Sequence, residues 1–567
     1  MKKQKRSVKA STPVSATPAP RPWVWWPWAA ALAALAVVFG VYGPALNGEF
    51  LFDDRNLTFM SPNVAARTFS DWIANNRPML GFSYWIDYQQ SGAEPHAYHV
   101  TNVFMHLLTS ALVALICARF LTWVKVDGRR RDVLAVFSGA LFLLHPLQTE
   151  SVAYVASRSE VLSVFFCFSA FALFLYKSDD AIRWPRALAI VVLFGAAVVT
   201  KEHTVMLPAL VLLTDYFWKR GGLRKNAILY GMIALAGAGG AAFVLRTLRS
   251  ADTAGFGIKD LSPATYFFTQ CRVIWIYVRL FLLPFGQNVD ADIPLSRTVL
   301  DHGAIAGLVG LIAALAAAWI YRKRWPLAAF GVFVFLLLLA PTSSFVPIKD
   351  VLAERRLYLP SLGLLLICLE FLRRLRTEQI VWAGAAVVVA CAALTYQRNQ
   401  VWASPLTLWE DAVAKSPRKM RPRSQLAYAY YEQRQCQQAA QQYEVASGLA
   451  PSGADLLVNW GLALNCAGRY QEAIYKLQQA LLYSKTAHVY AELGMVYAKS
   501  GRVQEALQAL AQAELTNPRF EMTYVYRGNI AELAGDRAAA AQEYQRALLI
   551  APLNSAARDA LARVSGR

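Results

Sequence analysis

Apolar residues follow two different patterns along this chain. From about residue 23 to 396 they form long blocks, 23–43, 99–122, 132–145, 157–176, 185–200, 203–218, 227–247, 301–320, 326–341, 356–372 and 379–396, separated by short polar stretches. Blocks of that kind are helices apolar on every side, and about 20 such residues span a bilayer. A twelfth block, 262–284, is broken by Gln270, Arg272 and Arg279. Arg272 and Arg279 share one helical face, and Phe, Ile, Val and Leu fill the other, so this block predicts an amphipathic helix lying in the interface or re-entering it. After Ser404 the apolar residues recur every third or fourth position, the period of surface helices packed on one face.

The second region repeats. Pro417, Pro451, Pro518 and Pro552 mark a 34-residue rhythm, with a turn at Ser484-Lys485 that lacks its proline. Tyr490, Leu493, Gly494, Tyr497, Ala506, Leu510, Ala513 and Pro518 fall at the positions of a tetratricopeptide unit. Trp460, Gly461, Ala473 and Ala480 mark the unit before it, and Tyr524, Gly528, Ala540, Tyr544, Ala547 and Pro552 the unit after. Ala439, Tyr443, Ala446 and Pro451 leave a degenerate first unit. About four repeats therefore fill 420–552, and 553–567 predicts a terminal cap helix. The expected fold is all-α: about eleven spans plus one interfacial or re-entrant helix, then a tetratricopeptide-repeat solenoid. The predicted boundaries are 1–22, a disordered cytoplasmic tail; 23–403, the membrane domain with a long first loop at 44–98; and 404–567, the repeats.

Composition agrees with the first pattern. Hydrophobic residues make up 56% of the 567, charged residues only 17%, and there are 16 tryptophans, which is too apolar for a soluble protein of this size. The net charge of +20 invites a nucleic-acid reading, but the Lys and Arg sit in short clusters between apolar blocks, so none is expected. Clusters follow the second block (Lys125, Arg129, Arg130, Arg131), the fourth (Lys177, Arg183, Arg186) and the sixth (Lys219, Arg220, Arg224, Lys225). With the basic N-terminus cytoplasmic, all three fall inside, as the positive-inside rule requires. Arg322-Lys323-Arg324 and the group Arg373, Arg374, Arg376 fall inside too if 262–284 does not cross. Eleven crossings then put the repeats on the outer face, together with the first loop.

The same count puts the mixed polar clusters on one face. Asp53 and Asp54 follow the first span, and Arg77, His99 and Asn102 come next. His145 to Glu150 ends the third span, and Arg158 and Glu160 begin the fourth. Lys201-Glu202-His203 and Glu354-Arg355-Arg356-Leu357-Tyr358 join later spans. Ionisable groups at a membrane are costly and mark functional sites. The bland reading of Glu150, Arg158, Glu160, Lys201 and Glu202 is a set of ion pairs fixing helix ends. For Asp53-Asp54 it is weaker, because adjacent exposed acids repel. Five of the seven cysteines, Cys117, Cys167, Cys271, Cys368 and Cys391, lie in apolar blocks and read as small hydrophobes. Cys436 and Cys466 fall at neighbouring helix ends of the first two repeats and could form a disulfide in an oxidising compartment. No spacing of Cys or His predicts a metal site, and a divalent ion on the adjacent acids is the lesser reading.

Phe52-Asp53-Asp54, Arg77-Pro78, Tyr98-His99-Val100-Thr101-Asn102, His145-Pro146-Leu147-Gln148-Thr149-Glu150-Ser151-Val152, Arg158-Ser159-Glu160, Lys201-Glu202 and Ala353 to Ser361 come in an order that resembles the transmembrane and tetratricopeptide-repeat (TMTC) proteins, O-mannosyltransferases of the GT-C superfamily. The array here is shorter, Arg356 stands where that family usually has an apolar residue, and the alanine-rich composition points to a bacterial-type relative. The resemblance implies an inverting enzyme that takes a sugar from a polyprenyl-phosphate lipid on the non-cytoplasmic face, here the periplasmic side of an inner membrane. It implies an acidic general base in the first outer loop, which falls on Asp53, with Asp54 its partner or alternate. A phosphate leaving group calls for fixed cations. Arg355 and Arg356 come first, then Lys201, Arg158, Arg272 and Arg279, with Glu150, Glu202 and Glu354 holding them. Arg77, His99, Asn102, His145, Glu160 and Tyr358 complete the expected polar site. The expected partners are the lipid-linked sugar, membrane lipids and an acceptor protein held by the repeats. Two other readings compete: a non-catalytic scaffold whose repeats organise an envelope complex, and a flippase, which would need polar groups spread through the bilayer midplane.

Overall fold

The computed structural model describes residues 26–61, 63–176, 182–218, 222–250, 253–258 and 261–566. The expected tail 1–22 and the basic residues Lys177, Lys219 and Arg220 lie outside these. Among the described residues every regular element is helical, from Trp26–Val41 to Ser555–Val564, and the lone β contact is an isolated bridge between Ala254 and Ile348.

Among the described residues five helices are long and apolar enough to cross a membrane: Pro95–Trp123, Val155–Leu175, Ala227–Arg249, Asp301–Tyr321 and Thr377–Val401. Gly128–Leu144 and Pro146–Ala153, bent by 49° between them, make a sixth when taken as one span. Leu32–Val41, Trp184–Thr200, Pro326–Leu339 and Ser361–Leu372 are apolar but shorter, as is Leu207–Trp218. Each of the eleven predicted blocks thus carries a helix, but several stop short of a full span. The shortening has local causes. Residues Glu202–Met206 and Glu354–Leu357 wind as 3-10 turns instead of continuing their helices, and Pro341 follows closely on the end of Pro326–Leu339. Block 262–284 forms one unbroken helix, Pro263–Leu282, started by the Ser262 hydroxyl, which accepts the Thr265 N–H. It is not among the described helices apolar enough to cross.

Close backbone approach builds the core. A Cβ on Gly363 would come within 2.5 Å of the Gly331 carbonyl and the Phe335 nitrogen, so helices Pro326–Leu339 and Ser361–Leu372 meet backbone to backbone. Gly307 likewise lies against the Cys271 carbonyl.

The last third is four helix pairs: Met420–Glu432 with Cys436–Leu449, Ala454–Cys466 with Tyr470–Tyr483, Ala487–Lys499 with Val503–Thr516, and Glu521–Leu533 with Arg537–Ile550, closed by Ser555–Val564. Gly461, Gly494 and Gly528 face Leu477, Leu510 and Tyr544 at distances that leave no room for a larger side chain. Each hairpin turns through one left-handed residue, Arg434, Gly468, Gly501 or Gly535. The non-glycine at the first turn is the local mark of the degenerate unit.

The array does not hang on a free linker. Helix Pro405–Lys415, begun by Ser404 capping Thr407 and by Pro405 in its first turn, buries Leu408, Trp409 and Ala412 in one cluster with Leu426, Trp402, Ala45, Leu51, Ala153 and Tyr154. The first repeat therefore shares a core with the first loop.

Candidate active site

A cavity of about 260 Å³ opens where four helices break or begin. Arg77 precedes helix Pro78–Ser91, and Glu160 sits in the first turn of Arg158–Leu175. Lys201, Glu202 and His203 occupy the break between Trp184–Thr200 and Leu207–Trp218, and Arg355 and Arg356 the turn before Ser361–Leu372. Val205, Val244, Leu248 and Ile348 supply an apolar wall. The cations gather at these breaks in the helices.

Each cation is held. Arg77 donates through Nε and Nη2 to the two oxygens of Glu202 at 3.2 and 3.1 Å. Lys201 Nζ lies 2.5 Å from Glu160 Oε1, whose other oxygen is 3.3 Å from His203 Nε2. Arg355 pairs with Glu150 through its guanidinium and donates its backbone N–H to the same carboxylate at 3.0 Å. Arg356 donates to the carbonyls of Asp350 and Val351 and to the Tyr266 hydroxyl. The lining thus holds four fixed cations against the carboxylates of Glu160 and Glu202, with His203 in addition. Burial lowers the pKa of Lys201, with Glu160 opposing. Burial raises Glu202, but Arg77 outweighs it and holds that carboxyl below its ordinary range.

The adjacent acids of the first loop lie in opposite environments. Asp53 is exposed, and its backbone N–H donates to the Tyr154 hydroxyl at 2.9 Å. Asp54 is fully buried and accepts the N–H groups of Leu51 at 2.9 Å and Ala156 at 2.6 Å. Tyr154 caps the short helix Thr149–Ala153, whose Glu150 holds Arg355.

Other expected residues go elsewhere. Arg158 does not reach the cavity: it is buried against Asp87 at 2.6 Å, Asn102 at 2.7 Å and the Tyr98 carbonyl at 2.9 Å, beneath the Tyr84 ring. Arg272 and Arg279 do not line it either, since Arg272 bonds the Pro294 carbonyl and the Ser296 hydroxyl and Arg279 the Phe285 carbonyl. His99 and Asn102 are buried in the turns of Pro95–Trp123, where Asn102 holds the Val152 carbonyl. His145 stacks on Phe281, and Tyr358 bonds His106. Glu354 accepts from Gln287 Nε2 at 2.8 Å and the Asn288 N–H at 2.6 Å, so it anchors the segment after Pro263–Leu282 instead of a cavity cation. Cys436 and Cys466 are bonded, with Cα atoms 5.5 Å apart. Among the described residues no group of three or more His, Cys, Asp or Glu is arranged to hold a metal.

Tyr154, Asp87 and Asp290 are absent from the residues predicted above, and His203 is there without a role. His203 stands in the Lys201-Glu202-His203 run and carried a signal. Asp87 was the one acid in a long aromatic helix, and a lone acid there asks for a buried cation.

A bundle of apolar helices with a cation-lined cavity at their breaks, fused to tetratricopeptide-type helix pairs, defines a polytopic membrane protein with a repeat array. Its curated relatives are protein O-mannosyl-transferases of the TMTC group. Mouse TMTC3 is 24% identical over 91% of this chain and 63% of its own length. Drosophila melanogaster Tmtc3 is 23% identical over 71% and 51%, and human TMTC1 23% over 74% and 55%. The chain therefore spans between half and two thirds of the length of these relatives. No family model matches the chain. Among solved structures, MamA is 19% identical, covering 31% of this chain and 92% of its own, with a TM-score of 0.23. YrrB, a TPR protein with an unusual peptide-binding site, gives 19%, 31%, 88% and 0.24.

Proposed function

We propose that this chain is a membrane glycosyltransferase that moves a sugar, mannose by analogy with the relatives, from a polyprenyl-phosphate donor to a hydroxyl of a protein acceptor on the non-cytoplasmic face. The observation that carries the reading is the cavity in which Arg77, Lys201, Arg355 and Arg356 converge; Asp53 is tied by its backbone N–H to Tyr154, which ends the short helix carrying Glu150, the partner of Arg355. The acceptor oxygen attacks the anomeric carbon as the bond from that carbon to the phosphate oxygen breaks, its electron pair leaving with the phosphate. Asp53 takes the hydroxyl proton. The phosphodiester monoanion becomes a monoester with one more negative charge, and fixed cations in a water-poor cavity favour that change. They supply the charge that a divalent ion supplies in other transferases. The apolar wall suits the first prenyl units. Asp54 anchors the loop that carries Asp53, and the repeats recruit the acceptor. The Cys436–Cys466 bond fits an oxidising compartment, the periplasm of a bacterial inner membrane.

The test is transfer of labelled mannose from polyprenyl-phosphate-mannose to an unfolded Ser/Thr-rich polypeptide by the purified chain. Asp53→Asn should lower kcat by about 10²- to 10⁴-fold, the usual contribution of general base catalysis, with the melting temperature unchanged. Wild-type turnover by that variant would take the base role from Asp53, and no transfer by the wild type would leave a scaffold as the reading.

A further inference from the structure

Away from the cavity, a groove of about 770 Å³ opens on the side of the membrane domain between helices Gly128–Leu144 and Thr377–Val401. Volumes of that size hold small molecules. Thr377–Val401 is apolar enough to cross a membrane, and so is Gly128–Leu144 taken with its bent continuation. The two helices run side by side in one direction. A Cβ on Gly384 would come within 3.0 Å of the Phe137 ring, and further on Thr395 Oγ1 donates to the Leu144 carbonyl at 2.7 Å. Ala140, Gly384 and Ala385 are too small to close the space that is left. Val136, on its wall, is 65% exposed, so the groove is open to the surroundings of the domain.

Charge gathers at one end only. The charged residues of the lining are Arg129 and Asp132, and past them toward Ala140 and Val388 every lining residue is apolar or glycine. Asp132 is spent on Arg131, which donates to it through Nε at 2.8 Å and lies 2.7 Å away through Nη2. Arg129 is exposed and has no partner among the described residues. Beside it the buried Nε–H of Arg130 finds no acceptor among the described residues. Around the starts of the two helices Lys125, Arg129, Arg130, Arg131 and Arg376 stand against Asp127, Asp132 and Glu378, a net positive mouth. Asp127 is occupied as well, since it accepts the Arg130 backbone N–H at 2.9 Å.

Length separates the possible occupants. From Gly128 to Ala140 the groove is about 18 Å long at the helical rise. The hydrocarbon of one leaflet is about 15 Å deep, whereas a spanning helix of another chain needs about 30 Å. A cationic mouth that leads into one leaflet's depth of apolar wall fits a phospholipid, with its phosphate at the mouth and an acyl chain within.

We propose that this groove binds one anionic phospholipid, an acyl chain lying between the two helices and the phosphate held by Arg129. A guanidinium offers phosphate oxygens paired N–H donors. A zwitterionic lipid gains less, because the lining carboxylate that would meet its ammonium is already paired with Arg131. The lipid bridges two helices whose far ends lead to Glu150, the partner of Arg355, and to Trp402, in the core shared with the first repeat. The site is independent of the reaction proposed above.

The test titrates the full chain in mild detergent with phosphatidylglycerol and with phosphatidylcholine of the same acyl chains, and counts bound lipid by native mass spectrometry. The wild type should hold one phosphatidylglycerol about fivefold tighter than phosphatidylcholine, the effect of one cation near a headgroup. Arg129→Gln should bring the two lipids level, and Arg129→Lys should keep the preference. Ala385→Trp, at an exposed position of the lining, fills the groove and should remove this lipid altogether. Lys323→Gln and Leu235→Trp, at an exposed cation and an exposed leucine elsewhere on the domain, should change nothing. Phosphatidylglycerol should also raise the melting midpoint of the wild type more than that of Arg129→Gln. Arg129 is exposed and unpaired, so without lipid its variant should melt as the wild type does, which separates lost binding from lost fold. Equal affinity of the wild type for both lipids, a preference that survives Arg129→Gln, or one lost equally in Lys323→Gln would overturn the site. A dimer that Ala385→Trp dissociates would overturn it too, by making the groove a contact between copies.

Discussion

Asp53 and Asp54 show how one step along the chain divides two like residues. Left-handed Phe52, φ 44, turns the backbone so that Asp53 points to solvent and Asp54 inward. Burial raises the Asp54 pKa to about 7, against the Leu51 and Ala156 N–H groups that lower it, and the nearby Asp53 charge adds to the rise. The folded chain therefore holds this proton more tightly than the unfolded one, whose carboxyl titrates near 3.8. Stability from this group is complete below that unfolded value and is lost as pH rises through about 7. We expect the wild-type melting temperature to fall between pH 5 and pH 8 relative to that of Asp54→Asn, measured by differential scanning fluorimetry in detergent at matched ionic strength. A difference that does not change with pH would mean that Asp54 is ionised throughout.

At the scale of elements, the ends of helices were legible and their pairings were not. Polar residues that interrupt apolar blocks stand out in any reading, which is how Arg77, Glu150, Lys201, Glu202, Arg355 and Arg356 were found. Their partners lie far away, 125 residues for Arg77 and Glu202 and 205 for Arg355 and Glu150, so the pairing depends on the packing order of helices. Arg158 gave the same signal as Arg355 but was filled by Asp87, Asn102 and the Tyr98 carbonyl, and no one-dimensional pattern separates the two cases. The repeats were legible to the residue because each unit writes the same packing problem again. Glycines in the membrane domain were not, since one glycine matters only where a second helix passes. Gly363 is such a case. Gly363→Ala forces a methyl against the Gly331 carbonyl and the Phe335 nitrogen, and should cost about 1–3 kcal/mol through overpacking. Thermal unfolding in detergent would show it as a lower midpoint, while Gly40→Ala, at a glycine with open space around it, should not.

At the scale of the whole molecule, the question is whether the repeats and the membrane domain unfold as one body. The contacts that join them include the apolar cluster around Trp402, Trp409 and Leu426, the pairs Arg55–Glu432 and Arg421–Asp350, and a polar strap at 287–292. In the strap, Asn288 Nδ2 donates to the Ser416 hydroxyl at 2.8 Å, Lys415 Nζ to the Gln287 carbonyl at 2.7 Å, and buried Asp290 accepts from Arg421 and from Lys419 at 2.5 Å. Glu354 holds the other side of the strap through Gln287 and Asn288, next to Arg355 of the cavity. A fully buried charge left without its partner costs about 3–5 kcal/mol. Here the Arg421 side chain is 37% exposed, and water partly compensates it. Asp290→Ala should therefore weaken the junction by about 1–3 kcal/mol, a large part of what couples two domains and a small part of what folds either. Calorimetry of the wild type should give one endotherm covering both bodies, and Asp290→Ala should divide it in two. Hydrogen exchange should rise at 287–292 and 415–421 and stay unchanged within the repeats. A single endotherm with unchanged exchange would assign the coupling to the Trp402–Trp409 cluster, and Trp409→Ala should then divide the transition.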